Sequence, residues 1–311
     1  MDDVVVHTLS TLMGSTVRRG EVRHDGRALR WVAAGSGRPT VICDAALGEP
    51  GSLAWAGVMP LVAAWTRVLA YDRAGIGASD PVTPLSLAAQ TGDLAALIRQ
   101  AGNPPCILVG HSLGGLFAQL VGMAHPDIVS GLVLVDPADE QFLAALPPEE
   151  AQQGITFGET VLSQYGDGTL DGFVRDTFRH FARSLTGDPQ VETLILDAYV
   201  SCYANESQAR MVRAEHQLLF DSLRAIRRLR AEGALPDVPV VVLSATTGSP
   251  TVQHRELYTS YHAALAASVP RGRHIVLADT SHAVNQERPR EIAEAIKEVI
   301  KEIQVSGPPL R

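Results

Sequence analysis

Six short runs in the 311-residue sequence are apolar at nearly every position, and they constrain the fold more than any other feature. They are Thr40-Val41-Ile42-Cys43, Val68-Leu69-Ala70-Tyr71, Ile107-Leu108-Val109, Leu132-Val133-Leu134-Val135, Val240-Val241-Val242-Leu243 and His274-Ile275-Val276-Leu277. A strand with one face in water alternates polar and apolar residues. A strand covered by helices on both faces does not, so these runs predict parallel strands inside a sheet. Helical patterns near 53–64, 85–100, 114–124, 252–267 and 288–303 fall between or after them. That alternation predicts an α/β fold: a mostly parallel twisted sheet with helices on both faces. A hairpin precedes it, with Glu21-Val22-Arg23 and Leu29-Arg30-Trp31-Val32 flanking the turn pair Asp25-Gly26.

The rhythm breaks between Val135 and Val240, where no strand pattern occurs. Helical signals occur instead at Phe173–Phe181 and Val191–Tyr199. Ordinary α/β connections run ~2–6 residues, so this interval reads as an inserted helical subdomain. An insertion at the carboxyl ends of the strands lies over the crevice where α/β proteins bind ligands. The expected organisation is a core of residues 20–137 and 236–304, a helical cap of 138–235 between the sixth and seventh strands, and an N-terminal extension of 1–19. The tail from Ser306 to Arg311 is expected to fray.

Composition narrows the classes of partner. The formal net charge of -8 argues against a nucleic-acid or anionic-membrane surface, since both attract basic patches. The basic run Arg224-Ala225-Ile226-Arg227-Arg228-Leu229-Arg230 has helical spacing and reads as a solvated helix face. The start, Met1-Asp2-Asp3-Val4, lacks a basic segment followed by an apolar one, and no run approaches the ~18 apolar residues of a spanning helix. The expectation is a soluble cytoplasmic protein acting on a small molecule. Cys43, Cys106 and Cys202 show no metal-ligand spacing, and Cys43 and Cys106 lie in apolar runs as buried thiols. No metal and no cofactor are expected. The sequence leaves the oligomeric state open.

Gly110-His111-Ser112-Leu113-Gly114-Gly115 joins the third of the apolar runs to a helical pattern. It matches G-x-S-x-G in the strand–turn–helix context that motif requires. Glycines at 110 and 114 remove side chains that would collide across the turn, leaving the Ser112 hydroxyl exposed at the sheet's carboxyl edge. The following helix N-terminus favours negative charge there, and the Leu113 N–H is placed to bind an oxyanion. The competing reading is that Ser112 merely caps the helix.

Together these features resemble the α/β-hydrolase fold family, in particular serine hydrolases with a helical cap. The resemblance spans about residues 20–303. It rests on VGHSLGG at 109–115, on Tyr71-Asp72-Arg73-Ala74-Gly75-Ile76-Gly77-Ala78-Ser79-Asp80, on Gly131–Pro137, and on Thr280-Ser281-His282. It implies that His282, on the loop after the last strand, is the base that activates Ser112. Most relatives place the orienting acid after the strand matching Val240–Leu243. Here Ser244-Ala245-Thr246-Thr247-Gly248-Ser249-Pro250 offers none. Some members take it from the end of the preceding strand, which implies Asp136, with Asp139, Glu140 and Asp279 as rivals. The second oxyanion donor comes, in many relatives, from the residue after a His-Gly pair. Asp44-Ala45-Ala46-Leu47-Gly48 stands there, so by position the donor is the Leu47 N–H. A backbone donor survives any side-chain change except proline.

The chemistry so implied is hydrolysis of a carboxylic ester, lactone or thioester through an acyl-enzyme on Ser112. Ser112 argues against haloalkane dehalogenases and epoxide hydrolases, which share the capped scaffold but use aspartate as nucleophile. Acyl transfer, or a lyase or cyclase reaction, remains open on the same residues, and a non-catalytic ligand receptor is a further reading. The aromatics Phe142, Phe157, Tyr165, Phe173, Phe178, Phe181, Tyr199 and Tyr203 fall in the inserted segment, where they either form its core or line a partly apolar pocket. Arg73 reads as a structural ion pair with a neighbouring acid rather than as a contact for a substrate carboxylate.

Overall fold

Every residue of Val41–Asp44, Val68–Tyr71 and Cys106–His111 is buried, as strands covered on both faces require. They belong to an eight-stranded sheet in a computed structural model that describes residues 2–249 and 251–306. The strands are β1 (Arg18–His24), β2 (Arg27–Ala34), β3 (Val41–Asp44), β4 (Val68–Tyr71), β5 (Cys106–His111), β6 (Val129–Val135), β7 (Val240–Ala245) and β8 (Gly272–Leu277). Their spatial order is β1-β2-β4-β3-β5-β6-β7-β8. The β1–β2 and β2–β4 pairs are antiparallel and all others are parallel. The predicted hairpin is β1–β2. Its turn residues Asp25 (φ 47) and Gly26 (φ 79) are both left-handed, as the favoured two-residue hairpin turn demands.

The helices are α1 (Asp2–Met13), α2 (Gly51–Ala54), α3 (Met59–Ala63), α4 (Leu87–Leu97), α5 (Leu113–Ala124), α6 (Glu140–Ala145), α7 (Pro148–Asp167), α8 (Leu170–Leu185), α9 (Pro189–Tyr203), α10 (Glu206–Asp221), α11 (Leu223–Glu232), α12 (Val252–Ala267), α13 (Val284–Glu287) and α14 (Pro289–Ser306). Two helix expectations need correction. The pattern over 53–64 is not one helix but α2 and α3, because Pro60 has no N–H to continue a helix from upstream and sits in the first turn of α3. The pattern over 85–100 ends as α4 at Leu97, then widens into a π-helical turn, Ile98–Gly102, that stops at left-handed Asn103. The start, expected only as an extension, contains α1, which packs on α9. Val5 and Leu9 are buried, and the Thr8 hydroxyl donates to the Leu194 carbonyl (3.3 Å). The tail beyond Ser306 lies outside the described residues, as does Pro250.

Between β6 and β7 the described chain runs through six helices and no strand. The insertion has its own aromatic interior. Phe178 stacks on Tyr199 with centroids 3.9 Å apart, and Phe181 meets the same ring edge-on at 6.3 Å. Phe157 and Tyr165 are exposed, while Phe142 leaves this group to stack on Tyr258 of α12. On α11 only Ile226 is buried, and Arg224, Arg227 and Arg228 face solvent, as the spacing predicts. All three cysteines are buried. Among the described residues, no group of His, Cys, Asp or Glu is arranged to hold a metal ion, and no helix is long and apolar enough to cross a membrane. The parallel strands direct the loops after β3, β5, β6 and β8 to one edge of the sheet, where the chemistry-bearing residues lie.

Candidate active site

β5 ends at His111 and α5 begins at Leu113, so Ser112 alone makes the turn between them. Its backbone (φ 52, ψ −115) lies where L residues rarely sit. The surroundings enforce it. The Ser112 N–H donates to the Val135 carbonyl (3.0 Å), and its carbonyl accepts from Ala138 (2.9 Å). A Cβ on Gly110 would lie 2.4 Å from the Gly114 carbonyl oxygen, and one on Gly114 2.5 Å from that of Asp44. The Ser112 side chain makes no capping bond to α5, which overturns the capping alternative. Its hydroxyl meets His282 instead.

Ser112 Oγ lies 3.0 Å from His282 Nε2, and His282 Nδ1 lies 2.6 Å from Asp136 Oδ2. A carboxylate only accepts, so Nδ1 carries the hydrogen and Nε2 is left to accept from the serine hydroxyl. The three residues come from the loops after β5, β6 and β8. Asp136 is fully buried, whereas the His282 side chain is 42% exposed. Burial alone would raise the Asp136 carboxyl. Hydrogen bonding and charge from His282, then from Arg255, outweigh it and hold the group far below the usual carboxylate range. The rivals are engaged elsewhere. Asp139 caps α6, Glu140 pairs with Arg230, and Asp279 is exposed.

Sequence reasoning missed the setting of Asp136. Arg255 donates from Nη1 to Oδ2 (2.9 Å) and from Nη2 to Oδ1. Its Nε–H reaches the Ala245 carbonyl (2.9 Å), and the Ala245 N–H donates to Oδ1 (3.0 Å). Two further residues of α12 hold the next peptide: the Tyr258 hydroxyl (2.8 Å) and His262 Nε2 (2.9 Å) both bond the Pro137 carbonyl. Arg255, Tyr258 and His262 stand at i, i+3 and i+7, one helix face. That spacing was visible in the sequence, but not what the face meets. The His111 side chain likewise turns away from the serine, as expected, and Nε2 bonds the His282 carbonyl (2.7 Å).

Two of these histidines are kept neutral. Burial, reinforced by neighbouring His282, pushes His111 down to about 3, and burial pushes His262 down to about 4 despite nearby Asp136. An unfolded histidine titrates near 6.5. Between that value and its folded value, each histidine is protonated only in the unfolded chain, so stability rises with pH across the window and is lost as pH falls. Each contributes about 1.4 kcal/mol per pH unit there. The melting temperature is therefore expected to fall between pH 6.5 and 4, and His262→Asn should make that fall shallower. Parallel stability curves for the two proteins would contradict this account.

The loop Asp44–Pro50 lies beside Ser112, with the Gly114 N–H donating to the Ala45 carbonyl (3.1 Å). Among the described residues, neither the Leu47 N–H nor the Leu113 N–H has a hydrogen-bond acceptor. Arg73 is 2% exposed and paired with Asp44 and Glu215, the structural role expected of it. Glu49, which sequence reasoning passed over, turns its carboxyl toward Asn285. Burial lifts that carboxyl above its ordinary value while the charges of His282 and Arg73 oppose the rise. Its Oε2 has no partner among the described residues.

Residues 35–295 match the family described as "Alpha/beta hydrolase family". The chain belongs to the α/β-hydrolase family. Curated relatives of this α/β hydrolase include the mouse (Mus musculus) sn-1-specific diacylglycerol lipase ABHD11, 44% identical over 70 residues that cover 22% of this chain and 23% of the lipase. Lipase LipV of Mycobacterium tuberculosis is 42% identical over 71 residues, covering 23% of this chain and 27% of LipV. The matched part thus spans only about a quarter of each relative's length. The fold likeness is more extensive. Cfl2 from Burkholderia cenocepacia superposes with a TM-score of 0.71 at 23% identity, over 91% of this chain and 95% of that one.

Proposed function

We propose that this α/β hydrolase is a serine hydrolase that cleaves a carboxylic ester, lactone or thioester. Ser112 is the nucleophile, His282 the base and Asp136 the acid that orients it. The observation carrying this reading is the continuous hydrogen-bonded chain from Ser112 Oγ through His282 to Asp136, set against two free backbone N–H groups. Ser112 Oγ attacks the carbonyl carbon while its proton passes to His282 Nε2. Asp136 stabilises the imidazolium so formed. The carbonyl oxygen, now anionic, takes hydrogen bonds from the Leu47 and Leu113 N–H groups. His282 returns the proton to the leaving group as its bond to the acyl carbon breaks. It then draws one from water as water attacks the acyl-enzyme, and gives it to Ser112 Oγ as the acyl–Oγ bond breaks and the acid leaves.

Exposure of His282 favours hydrolysis over acyl transfer. A transferase must keep water from its acyl-enzyme, and here the side chain that would activate water is 42% exposed. Residues 138–235 act as a cap over this site in the same reading. Support comes from the insertion's direct bonds to the Asp44–Pro50 loop, including Gly48 N–H to Glu215 Oε2 (2.7 Å). The test is labelling by a fluorophosphonate together with turnover of p-nitrophenyl esters of graded chain length. One equivalent should attach, at Ser112, and it should remove all esterase activity. Slow labelling spread over several serines, with no acyl-enzyme and no turnover, would sink the reading and favour a ligand receptor. Chain-length preference would size the acyl pocket.

A further inference from the structure

A buried cation stands behind the loop that carries Leu47. All five N–H donors of Arg73 are used. Nε (2.7 Å) and Nη2 (2.8 Å) grip Glu215 of α10. Nη1 bonds Asp44 Oδ1 (2.8 Å) and the Ala45 carbonyl (2.7 Å), and Nη2 also takes the Ala46 carbonyl (2.7 Å). The last contact matters most. The Ala46 C=O and the Leu47 N–H belong to one planar trans peptide, so they point in opposite directions. Fixing the oxygen on the guanidinium fixes the direction of the free N–H. A charge-assisted bond to the carbonyl also polarises the amide and strengthens its N–H as a donor. The next two peptides are held too. The Gly48 N–H donates to Glu215 Oε2 (2.7 Å), and its carbonyl accepts from Gln208 Nε2 (2.8 Å) and the Tyr203 hydroxyl (3.2 Å). The partner donor shows the same pattern on the other side of the site. The Ser112 carbonyl, which shares a peptide with the Leu113 N–H, accepts from Ala138 and Leu116.

We propose that Arg73, itself held by Asp44 and by Glu215 of the insertion, is a positioning residue that aims and polarises the Leu47 N–H as the second oxyanion donor. This rests on the serine-hydrolase reading above. It gives Glu215, some 170 residues along the chain from the loop it holds (|i−j| = 167 to Gly48), a part in transition-state stabilisation without touching substrate. Lysine cannot reproduce the fork that reaches two carbonyls and two carboxylates at once.

The test compares Arg73→Lys and Glu215→Gln with a chain in which the Leu47 amide is replaced by a backbone ester, which removes that N–H and keeps the Ala46 carbonyl as a weaker acceptor. Each side-chain variant should lower kcat on a p-nitrophenyl ester by about tenfold to a hundredfold and leave KM within about twofold, as loss of an oxyanion interaction does. Affinity for a trifluoromethyl ketone, whose adduct with Ser112 carries the oxyanion, should fall by the same factor. Affinity for the matching alcohol, which has none, should not. In the ester-backbone chain, adding Arg73→Lys should cost less than about threefold more, because the donor it aims is already gone. A merely structural role would weaken both ligands together and remain additive with the backbone ester. That result overturns the inference, as does full kcat in the ester-backbone chain, which settles the matter even if Arg73→Lys fails to fold. If Ser112→Ala is inactive while Arg73→Lys keeps full kcat, this inference alone fails. If Ser112→Ala keeps turnover, the hydrolase reading falls and takes the inference with it.

Discussion

Ser112→Ala and His282→Ala are each expected to lower kcat on a p-nitrophenyl ester by about a millionfold, and the double variant by no more than either alone. In the proposed reading nucleophile and base act as one unit, so removing either leaves the other without a task. The geometry makes the unit unusually simple. One hydrogen bond of 3.0 Å joins Ser112 Oγ to His282 Nε2, and the serine hydroxyl makes no bond to the helix it precedes. Its loss therefore has little structural cost. His282 Nε2 turns to water, which its 42% exposed side chain already meets. Melting temperatures should stay within a few degrees while turnover collapses. On the same reading a residual rate of about a thousandfold over water should persist, since the proposed oxyanion donors, the Leu47 and Leu113 N–H groups, are untouched. A loss below about a hundredfold in Ser112→Ala, or strictly additive losses in the double variant, would mean that another group carries the chemistry.

How much of this was legible in the sequence depends on the range over which each feature is decided. The sheet was readable because burial on both faces leaves a local signature. Val240–Leu243 is buried at every position and is apolar at every position. The serine turn was readable because its steric demands fall on residues two positions away, Gly110 and Gly114. Asp136 as the orienting acid came from the family resemblance, since the loop after β7 carries no carboxylate before Glu256, and the sequence left Asp139, Glu140 and Asp279 as rivals. What stayed hidden depends on partners far along the chain. Arg255 meets Asp136 across 119 residues, and His111 meets the His282 carbonyl across 171. No local pattern marks such a residue as anything but a polar side chain on a helix or strand.

The helical features that went unread have a different cause. α1 begins with acidic residues and offers one short apolar stripe, too little to announce a helix without the α9 surface on which Val5 and Leu9 pack. The break between α2 and α3 was available in Pro60, but the apolar periodicity through 53–64 outweighed it. The insertion's aromatics could not be sorted into interior and pocket from sequence, because both uses demand the same side chains. The stacked rings of Phe178 and Tyr199 show that part of this payload goes into holding the insertion itself together.

Asp136→Asn is expected to lower kcat about ten-thousandfold and also to destabilise the fold, and the two effects should separate. The kinetic loss follows from the tautomer. An asparagine amide can donate to His282 Nδ1, which then holds the hydrogen on Nε2 and denies Ser112 its base. The stability loss has another origin. Arg255 is buried, and its guanidinium forks onto both carboxylate oxygens. Removing the negative charge leaves a buried cation unpaired, which costs about 3–5 kcal/mol. Replacing Arg255 by methionine in the Asp136→Asn background removes that cation, so most of the stability should return while kcat stays low. Single Arg255→Met should remain far more active than Asp136→Asn, because His282 keeps its 2.6 Å bond to the acid. Melting curves and kcat on the same four proteins check this directly. Full activity in Asp136→Asn would place the acid elsewhere, and Arg255→Met failing to restore stability would show that the guanidinium is not what the carboxylate is needed to balance. The arrangement has a physical logic. With Asp136 just past the end of β6, His282 on one side and Arg255 of the helix after β7 on the other together hold its carboxyl far below the usual carboxylate range despite full burial.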